Sequence, residues 1–155
     1  MQLTMHTDYA LRVLLYLAHF PDRRVGTQEI SSAYGISKNH LVRVVQTLAN
    51  GGFLKVSVGR SGGVALARSP KKIRIGEVVR ASEASFRLVE CHDAVSNTCP
   101  IVQVCGLKGM LNTALGAFLA ELDQHTLADL VKPKSREKFI QLVSSAQGDE
   151  PANRA

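Results

Sequence analysis

Three features of the sequence predict a mainly α fold. Apolar residues recur at helical spacing in several early segments and again after residue 106. The one clearly alternating stretch is short and runs into a glycine-rich turn, as a hairpin does. A polar loop holding all three cysteines separates the two helical parts. The expected architecture is a winged helix-turn-helix with a small β-hairpin wing, a cysteine loop and a long C-terminal dimerisation helix.

The elements follow in order. Tyr9 to Phe20 places Leu11, Leu14, Leu15 and Ala18 at i, i+3, i+4 and i+7, the stripe of an amphipathic helix. Thr7 or Asp8 is the expected cap, and Pro21 follows the end. Asp8 stands four residues before Arg12, so the two can pair on one helix face. Thr27 is the expected N-cap of a short helix, Gln28 to Tyr34, with Ile30 and Ala33 inward and Gly35 at its end. Ser37 then caps a second helix from Lys38 to Ala49 or Asn50, with Leu41, Val44, Val45 and Leu48 as its apolar stripe. Asn39, Arg43, Gln46 and Asn50 fall on the opposite face. Two helices joined by a tight glycine turn are the helix-turn-helix pattern, and the second has the donor-rich outer face a recognition helix needs.

Gly51 and Gly52 end that helix. Phe53 to Val58 alternates, with Leu54, Val56 and Val58 on one side and Lys55 and Ser57 on the other. Gly59-Arg60-Ser61-Gly62-Gly63 forms the turn, and Val64 to Ala67 returns as a second strand. An Arg at the tip of such a wing can enter the negative minor groove of DNA. The glycine cluster has neither a GxxxxGK[ST] pattern nor a GxGxxG opening a helix, which argues against a nucleotide loop. Ile73 to Ala81 reads as another short helix, with Ile75, Val78 and Val79 inward. The DNA-facing set expected from this arrangement is Thr27, Gln28, Ser37, Lys38, Asn39, His40, Arg43, Arg60 and Ser61.

Charge supports the same end of the chain. The formal net charge is +6 over 155 residues. Residues 1–80 hold 12 Lys or Arg against 4 Asp or Glu, and residues 81–155 hold 7 against 9. A basic first half faces a polyanion, and double-stranded promoter DNA is the partner expected. The uncharged run Gly109 to Ala120 is far shorter than the roughly 20 residues of a membrane span, and the expected location is cytoplasmic. No Ser/His/Asp set, catalytic carboxylate pair or phosphate loop supports an enzyme.

Cys91, Cys99 and Cys105 lie within fifteen residues at C-x7-C-x5-C spacing, in a turn-rich interval with His92, Asp93, Asn97 and Pro100. Clustering in one polar loop points to metal or iron–sulfur ligation rather than to scattered core thiols. Zinc with His92 as fourth ligand, an iron–sulfur cluster and a redox thiol switch all remain open from the spacing alone. A long helix follows, with Leu107, Met110, Leu111, Ala114, Leu115, Phe118, Leu119 and Leu122 on a wide apolar stripe reaching about Gln124. Such a stripe suits packing on a second copy of the chain, since one helix-turn-helix reads one half-site. Thr126 caps a turn from Leu127 to Val131, Pro133 breaks it, and Ser135 to Ser144 reads as a last helix before a disordered tail. The expected parts are a DNA-binding domain at 1–81, a cluster loop at 82–105, a dimerisation helix region at 106–131 and a C-terminal arm and tail at 132–155.

Four stretches together resemble a known family. They are Thr7-Asp8-Tyr9-Ala10-Leu11-Arg12, Ile36-Ser37-Lys38-Asn39-His40-Leu41, Gly59-Arg60-Ser61-Gly62-Gly63 and the three-cysteine loop before a long helix. The chain is similar over about residues 1–131 to the winged-helix iron–sulfur regulators that include the NsrR and IscR groups. Asp8, His40 and the loop place it nearer the nitric-oxide-sensing NsrR group. The IscR group uses a histidine beyond the third cysteine, where this chain has Gly106-Leu107-Lys108. The resemblance implies a homodimeric repressor of promoter DNA that responds to nitric oxide. It implies an iron–sulfur cluster, [4Fe–4S] with [2Fe–2S] as the alternative, on Cys91, Cys99 and Cys105. The fourth ligand it implies is Asp8 of the partner subunit, and Arg12 would pair with Asp8 in the cluster-free state. The alternative readings are a zinc- or thiol-switched winged-helix repressor and an IscR-like regulator of iron–sulfur homeostasis.

Overall fold

The computed structural model describes residues 2–59 and 62–148. Its elements run α1 (Met5–His19), α2 (Thr27–Tyr34), α3 (Lys38–Asn50), β1 (Leu54–Ser57), β2 (Gly63–Leu66), α4 (Ile75–Ser82), α5 (Leu107–Gln124), α6 (Leu127–Leu130) and α7 (Pro133–Gly148). β1 and β2 pair antiparallel, with Leu54 opposite Leu66 and Ser57 opposite Gly63. Val25 extends this hairpin by exchanging both backbone hydrogen bonds with Val64, at 2.9 Å each. The mainly helical winged helix-turn-helix expected from the sequence is therefore the observed fold.

The core sits beneath the helix-turn-helix. Ala10, Val13, Leu14 and Leu17 of α1 meet Ile30 of α2, Leu41, Val44 and Leu48 of α3, and Val78 of α4. Gly35 lets the chain turn between α2 and α3, because its φ of +62° lies where a side chain would clash. Ser37 caps α3 as expected, its hydroxyl accepting from the His40 amide.

Two caps differ from the sequence reading. α1 begins at Met5 and is capped by Thr4, not by Thr7 or Asp8. The Thr4 hydroxyl accepts from the Thr7 amide at 3.3 Å, while the Thr4 amide donates to Glu83 Oε1 at 2.6 Å. A residue 79 positions away thus fixes the start of α1, which local pattern could not reveal. α2 begins at Thr27 itself, with Gly26 as its cap and no side-chain cap bond.

The hairpin also departs from simple alternation. Leu54 is buried, but Val56 is 51 % and Val58 96 % exposed. The core-facing contact is carried by the second strand, where Val64 is buried against Val25, while Val56 opposite it stays open to solvent. α4 starts at Ile75 rather than Ile73, because residues 73 and 74 are held in an extended bridge. The Leu127 amide donates to the Ile73 carbonyl at 2.9 Å, and the Ile75 amide donates to the His125 carbonyl at 2.9 Å.

The C-terminal segments close over the same core. A capping box between Thr126 and Asp129 starts α6 and seats Leu127 fully buried. α7 brings Phe139 against the core and buries Val143. Phe139 stacks on His19, with ring centroids 3.9 Å apart and planes within 11°. The expected tail beyond Gly148 lies outside the described residues.

Candidate nucleic-acid interface and cysteine loop

The exposed face of α3 carries Lys38, Asn39, His40 and Arg43 on its first turns and Gln46 and Asn50 further on. Gln28 is exposed at the start of α2, and Thr27 beside it is half-buried. Of these, Thr27, Gln46 and Asn50 line one cleft with Val56 and Val58 of the hairpin. Ser37 is exposed as well, and its hydroxyl accepts the cap bond from the His40 amide. Arg60 and Ser61, expected at the tip of the wing, lie outside the described residues. On either side of them the Gly62 amide donates to the Gly59 carbonyl at 2.9 Å.

α1 runs behind this surface and touches it. His6 Nε2 lies 3.1 Å from the Thr47 hydroxyl, and the Tyr9 ring lies 6.1 Å from that of His40. Asp8 pairs with Arg12 at 2.7 Å, with a second bond from Arg12 Nε at 3.1 Å. Both side chains are about two-fifths exposed, so the pair adds about 0.3–0.5 kcal/mol at most to stability. Its interest is positional: it holds the Asp8 carboxylate against a cation one turn along α1.

The cysteine loop is organised by its own carboxylates. Asp93 accepts from Arg87 at 2.6 Å, from the Ser96 hydroxyl at 2.7 Å and from the Val95 amide at 3.1 Å. Glu90 accepts from the Thr98 hydroxyl at 2.7 Å and the Thr98 amide at 2.5 Å. These hydrogen bonds, the Ser96 and Thr98 hydroxyls foremost, hold both carboxyl groups below the usual carboxylate range. Glu90 and Asp93 thereby tie the loop across 90–98.

Cys91 lies within this frame, Cys99 directly follows it and Cys105 comes six residues later, and all three are half-buried free thiols. Cys105 immediately precedes Gly106, the cap of α5. Among the described residues no three His, Cys, Asp or Glu side chains stand together as a ready metal cage. The donor chemistry nonetheless fits an iron–sulfur cluster: three thiols free of disulfides, on one pinned loop. His92, a candidate zinc ligand in the sequence, accepts the Leu88 amide on Nδ1 at 3.4 Å. Its ring proton then sits on Nε2, which is buried without a hydrogen-bond partner.

α5 leaves the loop with none of its 18 residues buried. Its C-terminal end is clamped to α4 by two Arg80–Asp123 bonds, of 2.7 and 2.5 Å, and by Arg74 donating to the Asp123 carbonyl at 2.6 Å. Leu111, Leu115 and Phe118 face a cavity shared with Leu3 and Phe86, and Leu107 and Met110 are 50 % and 69 % exposed.

A winged helix-turn-helix joined through a cysteine loop to a long exposed helix defines a class of transcriptional regulators. The family model described as "Rrf2: Iron-dependent Transcriptional regulator" matches residues 3–133, and the chain belongs to that family. It is 50 % identical over 135 residues to the HTH-type transcriptional regulator NsrR of Bacillus subtilis, covering 86 % of this chain and 92 % of the relative. The NsrR of Bacillus licheniformis is 46 % identical over 132 residues, covering 84 % and 92 %. Among solved structures, a putative transcriptional regulator from Listeria innocua superposes with a TM-score of 0.67 at 27 % identity, covering 84 % and 85 %. The T. potens IscR shares the fold, with a TM-score of 0.66 at 22 % identity over 99 % and 94 % of the two chains.

Sequence reasoning missed three contributors. Glu83 holds the start of α1, Tyr9 touches the recognition helix, and Val42 stands exposed in its reading face. Only Val42 left a local signal, as the apolar member of the row Lys38, Val42, Gln46, Asn50.

Proposed function

We propose that the chain is a nitric-oxide-responsive transcriptional repressor that binds promoter DNA as a homodimer under the control of an iron–sulfur cluster. The observation that carries this reading is the set of three free, half-buried thiols on one pinned loop between the reading head and an unburied helix. The similarity to NsrR proteins supports the choice of signal.

Cys91, Cys99 and Cys105 would hold the cluster as thiolates, with Asp8 of the partner subunit as the fourth ligand. When bound, the cluster supplies iron that reacts with nitric oxide. A carboxylate is harder than a thiolate, so Asp8 would be the weakest of the four ligands. Arg12, which bonds Asp8 at 2.7 Å, would compete for the same carboxylate. Tyr9 follows Asp8 on α1 and touches His40, so a shift of α1 reaches the recognition helix directly. The exposed stripe of α5 packs on the second copy, which places two reading heads on an A·T-rich inverted repeat. A tenfold weakening of that complex needs only about 1.4 kcal/mol.

The test is an anaerobic absorption spectrum of the purified protein before and after nitric oxide, with DNA binding followed in parallel. A broad band near roughly 400 nm that bleaches with loss of DNA binding is the expected result. A colourless protein carrying stoichiometric zinc overturns the cluster and leaves the winged-helix reading standing. Asp8→Ala is expected to lose the cluster faster in air, and unchanged cluster stability removes Asp8 from the ligand set.

A further inference from the structure

The exposed side chains of α3 are polar or charged with a single exception, Val42, which is 50 % exposed. Lys38, Val42 and Gln46 form one i, i+4, i+8 row, and Val42 and Gln46 stand on the side of the exposed face that looks toward the hairpin. β-Branched residues are poor helix formers, and this one keeps half of its surface open to solvent. Across a cleft of about 550 Å³ it faces the hairpin, where Val56 is 51 % exposed. The two valines make an apolar strip inside a face flanked by Lys38 and Arg43, in the half of the chain whose charge is net basic.

The surrounding cations select a polyanion, and the strip selects an apolar group on it. In the major groove of DNA one base offers such a group, the 5-methyl of thymine, which makes an A·T pair distinguishable from the rest. We propose that Val42 reads a thymine methyl in each half-site, with Val56 closing the far wall of the cleft. This rests on the DNA-binding reading above and adds to it a specificity residue and the base it selects. Lys38 and Arg43 then supply affinity and polar readout, while Val42 supplies discrimination at one position.

The experiment uses the full-length, cofactor-loaded protein and a duplex it selects from a random pool. Each thymine is replaced in turn by uracil, which removes only the methyl group. Native protein is expected to lose about fourfold in affinity at one thymine per half-site, and about fifteenfold when both are changed. Val42→Ala should bind the thymine and uracil duplexes equally at that position while keeping its melting temperature, and Lys38→Ala should weaken all duplexes alike. A native protein indifferent to uracil everywhere, or a Val42→Ala protein with the native thymine preference, overturns the inference alone. A changed oligomeric mass in Val42→Ala assigns the strip to protein contact and overturns it as well. A native protein that selects no duplex overturns the DNA-binding reading and this inference with it.

Discussion

The helix-turn-helix and the helix that follows the cysteine loop are built to opposite rules. In the first, α1, α3 and α4 interlock around side chains such as Leu14, Leu41, Leu48 and Val78, all at 0 % exposure. In the second, eighteen helical residues include none that is buried, although the stripe is just as apolar. The difference teaches what each part is for. A region that has satisfied its apolar surface within the chain serves as a rigid reading head. A region that has not leaves its apolar surface open, the surface that the proposed function assigns to a second copy.

The comparison can be broken most severely at Leu48. Leu48→Ala should cost about 3 kcal/mol, because a fully buried side chain leaves a cavity. Met110→Asp on α5 should change the stability of the single chain by less than about 0.5 kcal/mol, yet weaken self-association. Denaturation and sedimentation of both variants check this contrast, and equal losses of stability would erase the proposed division.

Gly76 sharpens the comparison at a seam between the two regions. A Cβ there would lie 2.0 Å from Asp123 Oδ1, at the point where α4 meets the end of α5. Gly76→Ala should cost at most about 1 kcal/mol, because the displaced Asp123 side chain is partly exposed and its pairing with Arg80 is a surface ion pair. It should also weaken DNA binding by shifting α5 against the reading head, which Asp123→Ala would do with a smaller loss of melting temperature.

The smallest effect is a pH dependence where α7 docks. His19 is buried, stacked on Phe139, and its Nδ1 has no hydrogen-bond partner. Burial, and then the nearby charge of Arg136, hold its imidazole below the ordinary 6.5. The unfolded chain therefore takes up a proton that the folded chain refuses, so stability falls as pH drops below about 6.5. His19→Phe keeps the stack and should flatten this part of the profile, read as melting temperature at pH 7.5 and 5.5. An unchanged profile would place the dependence elsewhere.

α3, α5 and the turn at Gly35 were legible from the sequence. Capping by Ser37, a left-handed glycine and the spacing of apolar residues are local, and each acts within a turn or two of its own position. The Asp8–Arg12 pair was legible for the same reason, through a single helical turn. The start of α1 was not, because its cap is held by Glu83. Nor were the exposure of Val56 and Val58 or the docking of Phe139 on His19. Periodicity says which side chains share a face, but whether anything packs against that face depends on segments far away in the chain. The sequence by itself thus determined the elements and the chemistry they carry. Only the tertiary structure decided which apolar surfaces were covered within the chain and which, on α5 and in the cleft beside Val42, were left for something else.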